Sequence, residues 1–98
     1  MGGSVAAPSV KVDQYTGGGG VKTLLLNFSA YYVEIHDLTG NRVIWKLATM
    51  ADDLAQELFG GALTNIAAVE LGNRRMKVSG NANVLGNSYH YVAIRKTQ

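Results

Sequence analysis

The chain contains two histidines, His36 beside Asp37, and His90. A metal centre needs three or four converging ligands, and the spacing suggests no third. Alternation places His36 with Tyr32 and Glu34 on a partly polar strand face, so a surface or interface histidine is expected. Asp52, Asp53 and Glu57 could form a carboxylate cluster for acid–base work. In the first turn of a helix, however, acidic residues are explained by the helix dipole. The stretch Gly17-Gly18-Gly19-Gly20-Val21-Lys22-Thr23 invites a phosphate-loop reading, but that motif needs glycine directly before the lysine and a helix after it. Val21 occupies the glycine position, and Val21 to Leu26 reads as strand. The glycines are better used as a turn, where φ above zero carries no steric cost. No Gly-x-Ser-x-Gly elbow is present, and nothing combines a nucleophile, a base and an orienting group. The expectation is a non-enzymatic chain with no catalytic residue, no metal and no cofactor.

Contact chemistry is better represented. Tyr31, Tyr32, Trp45, Tyr89 and Tyr91 all fall on predicted strands, with Tyr15 just before the glycine turn. Tyrosine and tryptophan stabilise sheets in cross-strand pairs, and they also dominate protein-binding hot spots and sugar-stacking platforms. Trp45 and Tyr91 are expected in the core. Val5, Pro8, Val10, Val12, Tyr15, Tyr32 and Tyr89 are the candidate partner-binding residues, the first of them on an N-terminal arm.

The elements that must position these side chains are short and alternate in period two. Residues 1–9 read as an extended arm, with Pro8 turning Ala7 away from helix, and residues 10–98 as a single β domain. Val10 and Val12 alternate with Lys11 and Asp13. Val21 to Phe28 is a second strand, expected to be central because Leu24-Leu25-Leu26 is apolar on both faces. Tyr31 to Asp37 sets Tyr31, Val33 and Ile35 against Tyr32, Glu34 and His36. After the turn residues Leu38-Thr39-Gly40-Asn41, Val43, Trp45 and Leu47 form the apolar face of a returning strand. Ala51, Leu54, Ala55, Leu58 and Phe59 recur at helical spacing. Thr49 with Asp52 suggests a cap and Gly60-Gly61 a stop, which predicts one short helix near residues 51–59. Strands resume at Ile66 to Leu71. After a Gly72-Asn73 turn, Arg74 to Val78 points Met76 and Val78 inward. Ser88 to Lys96 closes the chain, with Tyr89, Tyr91 and Ala93 on one face. About seven strands with frequent turns predict a mostly β fold, an antiparallel β-sandwich or small barrel.

Composition sets the class. The 98 residues suit one core, and 47% are hydrophobic. Charged residues are 16%, against about 25% in an average soluble domain, so part of the surface is expected to be covered by something else. A net charge of +2 with scattered basic residues gives no footprint for nucleic acid. The chain has no cysteine, which excludes disulfides and thiolate metal sites. Residues 1–12 lack the basic start and apolar run of a signal peptide, and no apolar run approaches membrane-spanning length.

Four segments, in order, resemble a domain of tailed-bacteriophage virion proteins. Val10-Lys11-Val12-Asp13-Gln14-Tyr15-Thr16-Gly17-Gly18-Gly19 is similar to its opening, V-x-V-x-x-Y-x-G-x-G. Phe28-Ser29-Ala30-Tyr31-Tyr32-Val33-Glu34-Ile35 resembles the next strand, which often has proline where Ala30 stands. Val43-Ile44-Trp45-Lys46 is similar to its tryptophan strand. Gly86-Asn87-Ser88-Tyr89-His90-Tyr91-Val92-Ala93-Ile94-Arg95 resembles its G-x-x-Y-x-Y-x-A-[FI]-[RK] ending. The resemblance implies a virion structural protein, made in the bacterial host cytoplasm and residing in the particle. A stand-alone domain with an extended arm suits a capsid decoration (cement) protein. Its partners would be the major capsid protein or other virion proteins, with no nucleic acid and no membrane, and by analogy it would be a homo-oligomer, a trimer. Cementing needs a stiff β body, a contact face of low charge and an arm for a neighbour's edge. The alternative is a tail or tail-fibre module binding a host receptor or glycan, with Tyr15, Tyr32 and Tyr89 as the sugar platform.

Overall fold

The computed structural model describes residues 10–95. The arm expected over residues 1–9, with Val5 and Pro8, lies outside them. Nine strands are present among the described residues: β1 (Val10–Thr16), β2 (Lys22–Leu25), β3 (Ala30–Asp37), β4 (Arg42–Leu47), β5 (Leu54–Phe59), β6 (Ala62–Ala67), β7 (Val69–Gly72), β8 (Arg75–Val78) and β9 (Ser88–Arg95). They form two sheets, one of six strands in the order β1-β9-β3-β4-β5-β6 and one of three in the order β2-β8-β7. Every pairing is antiparallel. The fold is therefore the mostly β, two-sheet arrangement that the alternation predicts. Between the sheets lie Val33, Ile35, Ile44, Tyr89, Tyr91 and Ala93 from the larger one. Met76, Val78 and Val69 come from the smaller, with Leu26 and Phe28 from the loop that follows β2.

Three local expectations are corrected. The helix near residues 51–59 is strand β5, and the only helical turn among the described residues is a 3-10 turn at Gly80–Ala82. Leu54 to Phe59 fits period two as well as period 3.6, and ladders to both β4 and β6 decide the matter. Gly60 and Gly61, with φ of 60° and 81°, are not a helix stop. They form the two-residue turn closed by the pair Phe59↔Ala62, the mirror-image type that matches strand twist. The second correction concerns β2, which is the outer strand of the small sheet, with Leu25 exposed and Leu26 buried only after the strand ends. The third is β4, whose faces are inverted relative to expectation. Ile44 and Lys46 are buried, whereas Val43 and Trp45 are half-buried and Leu47 is exposed. Apolar content alone would have chosen the other face.

The expected strand Ile66 to Leu71 is divided between the sheets. The chain changes sheet at Ala68. There the N–H groups of Ala68 and Val69 both donate to the Asp53 carbonyl, at 3.0 and 3.2 Å, and Ser79 N–H donates to the Ala68 carbonyl at 2.9 Å. The glycine stretch is bound to the loop before β9. Gly17 N–H donates to Asn87 O at 2.8 Å, and Gly86 N–H to Gly17 O at 2.9 Å. The Asn83 amide closes the knot, accepting from Gly18 N–H at 2.8 Å and donating to Gly20 O at 3.0 Å. A Cβ at Gly17 would collide with the Val84 carbonyl, so only glycine fits.

Candidate protein-interaction surface

The register of the six-stranded sheet fixes what its outer face displays. Successive residues alternate between faces, so three rows run across the strands. The first is Gln14, His90, His36, Val43, Leu58 and Leu63. The second is Val12, Val92, Glu34, Trp45, Gln56 and Asn65. The third is Val10, Ile94, Tyr32 and Leu47. Val12 is 72% exposed and Leu63 56%, and Val10, Leu58, Ile94 and Leu47 are also exposed. Among the described residues nothing covers this face.

No lysine or arginine takes an outward position on these six strands. Lys11, Arg42, Lys46 and Arg95 all have inward parity. A solvated sheet face is ordinarily polar. Depletion of charge around aromatic and aliphatic side chains is the composition of an interface core, and a contiguous exposed apolar patch marks an interaction site. The one fixed charge, Glu34, is hydrogen-bonded within the face. Tyr32 hydroxyl donates to its Oε1 at 2.9 Å, and His36 Nε2 lies 2.8 Å from its Oε2. These bonds, His36 first and Tyr32 second, hold the Glu34 carboxyl below its ordinary value. Burial, followed by the bond to Glu34, pushes the Tyr32 phenol up to about 12.

Of the candidate partner-binding residues, Val10, Val12 and Tyr32 lie on this face. Tyr15 and Tyr89 do not and are corrected to core residues. Tyr89 is fully buried and Tyr15 nearly so, and their rings stack at 4.8 Å with 7° between planes. Their hydroxyls are also committed. Tyr15 donates to Ala82 O at 2.6 Å. Tyr89 donates to Asn81 O at 2.9 Å and accepts from Val84 N–H at 2.8 Å. Neither ring can stack on a sugar. Trp45, expected in the core, is instead half-buried in the second row between Glu34 and Gln56.

The inward charges are structural. Lys46 is buried, and its Nζ donates to Leu54 O at 2.6 Å and Ala51 O at 3.3 Å, tying down the turn before β5. Burial, its largest influence, pushes its ammonium down from the ordinary range. Lys46 borders an open cleft of about 610 Å³ with Ser29, Asp52, Glu70 and Arg75. Since carbonyls hold the ammonium, it is not free to act as nucleophile or base there. Asp37 accepts from the N–H groups of Thr39 and Gly40 at 3.1 and 2.8 Å. Arg42 Nε lies 3.2 Å from Asp37 Oδ2 without making a directed hydrogen bond, so that contact is coulombic. The same guanidinium reaches Glu57 Oε2 at 3.3 Å and lies 4.7 Å from the centre of the Phe59 ring. Asp52 and Asp53 sit exposed in the turn, apart from this inward network. Among the described residues no three of His, Cys, Asp and Glu are grouped to hold a metal ion, and no helix is long and apolar enough to cross a membrane.

No family model matches the chain, and no curated protein or solved structure is similar to it at a significant level. The surface therefore rests on its own geometry. Sequence reasoning missed the outer rows of β4, β5 and β6. The available signal was the parity of the basic residues, because all those on the larger sheet share the face of Tyr15, Tyr89 and Ile35.

Proposed function

We propose that the chain is a non-enzymatic structural component of a bacteriophage virion, acting as a head decoration protein that is buried against capsid subunits. The supporting observation is the outer face of the six-stranded sheet, which exposes Val10, Val12, Leu58, Leu63 and Ile94, carries no lysine or arginine, and is uncovered among the described residues. Such a face gains from burial roughly in proportion to its apolar area, and a stiff antiparallel sheet loses little entropy on docking. The four segments resembling tailed-phage virion domains supply the setting. The reading as a receptor- or glycan-binding tail module has lost two of its three platform rings, Tyr15 and Tyr89, to the core.

The test is the amount of this chain in gradient-purified particles of the phage that encodes it, measured by quantitative mass spectrometry and placed by cryo-electron microscopy. Copies matching the number of capsid subunits, on the outside of the head, are the expected result. A few copies at the tail would favour the tail module, and absence from particles would overturn both readings.

A further inference from the structure

We propose that β6 is a docking edge for a second copy of this chain, pairing antiparallel with its own counterpart to join two six-stranded sheets into one. The inference is independent of the virion reading, because it concerns the sheet's edge, whoever covers its face. β6 is the outermost strand, and Ala62 to Asn65 and Ala67 are all exposed. An open edge is a template for another strand, and proteins ordinarily guard it with charge, proline or a bulge. The other three outermost strands carry charge, Lys11 and Asp13 on β1, Lys22 on β2 and Glu70 on β7. Ala62-Leu63-Thr64-Asn65-Ile66-Ala67 has no charge and no proline, and its pairing with β5 runs through all six residues without a register shift.

The occupant follows from the backbone. Phe59↔Ala62 closes a two-residue turn and exchanges both hydrogen bonds, so Ala62, Thr64 and Ile66 turn their polar groups toward β5. Leu63, Asn65 and Ala67 turn theirs outward, one donor and one acceptor each. A two-fold axis normal to the sheet and passing by Asn65 sets Asn65 against Asn65 of the second copy and Leu63 against its Ala67. All outward donors and acceptors are then paired. A shift of two residues sets an outward residue against the Gly60-Gly61 turn or the Ala68 corner, and a shift of one inverts the faces. With no charge on the strand, nothing repels across the axis. The outer second row becomes continuous, with the Gln56–Asn65 side-chain pair meeting its symmetry mate. The assembly is a dimer where the resemblance implied a trimer.

The test uses the full chain and its Asn65 variants in sedimentation equilibrium, with amide hydrogen exchange read at two concentrations. The wild type is expected to dimerise, with the Leu63, Asn65 and Ala67 amides becoming protected as concentration rises. Asn65→Pro removes an outward donor without touching the β5 ladder and should weaken association at least about tenfold. Asn65→Lys and Asn65→Asp should each be monomeric alone yet pair when mixed, since the axis sets opposite charges face to face; this arm decides the matter if the proline variant fails to fold. A wild type that stays monomeric at about 0.1 mM overturns the proposal. So does an oligomer indifferent to all three variants, or one abolished only by deleting residues 1–9.

Discussion

Buried tyrosines give the molecule its most direct chemical signature. Burial raises the phenols of Tyr15, Tyr89 and Tyr91 above their ordinary value, which is about 10 in an open chain. The unfolded chain therefore releases these protons first. Their contribution to stability is complete below pH of about 10 and is lost as pH rises toward the folded values. Lys46 works in the opposite sense, because its lowered ammonium value favours folding as pH rises, but only up to about 10.4. An alkaline titration should thus show the tyrosinate absorbance of these three buried rings appearing together with loss of Trp45 fluorescence in one cooperative step. Gradual ionisation of these three rings with the fold intact would contradict this account. Tyr89→Phe tests the hydroxyl alone. It leaves Val84 N–H and Asn81 O without their partner and should cost about 1–3 kcal/mol in urea denaturation.

At the scale of elements, the glycine stretch and the Asn83 loop act as one clamp between the start and the end of the β domain. Gly17→Ala forces the Val84 carbonyl to move and should destabilise by at least about 2 kcal/mol, whereas Gly18→Ala meets no neighbouring atom and should stay within about 0.5 kcal/mol. Thermal melts of the two variants side by side would show it. Turn residues and alternation located most strands, since Val33, Ile35, Tyr91 and Ala93 obey a plain period of two. Residues 51–59 misled because Leu54, Ala55, Leu58 and Phe59 satisfy both periods, and only pairing with β4 and β6 chooses between them. Trp45 misled for a related reason. Hydrophobicity names an apolar face, but this sheet has two, and the inward one carries Lys46 and Arg42. The outer face became legible only once register aligned Val12, Trp45 and Leu58 with their neighbours.

For the molecule as a whole, the two faces of the larger sheet do different work. The inner face holds the fold together through Ile35, Ile44 and Tyr89, while the outer face contributes little internal packing and is available for contact. Substitutions there should separate stability from association. Val12→Lys with Leu58→Lys should move the melting midpoint by less than about 4 °C, since both side chains are exposed. The same double variant should lose particle occupancy, measured by adding purified protein to particles stripped of it. Large unfolding with retained binding would reverse this division of labour.

The ladder between β1 and β9 has a consequence for biosynthesis. Among the described residues β1 is hydrogen-bonded to no strand but β9, from Val10↔Ile94 to Thr16↔Ser88. β1 leaves the ribosome well before β9 and must wait for it. At about 5–20 residues per second that interval is several seconds, during which Tyr15 lacks its stacking partner Tyr89 and the Asn83 knot cannot be tied. The larger sheet thus completes itself only after β9 has emerged, and until then β1 is open to chaperones.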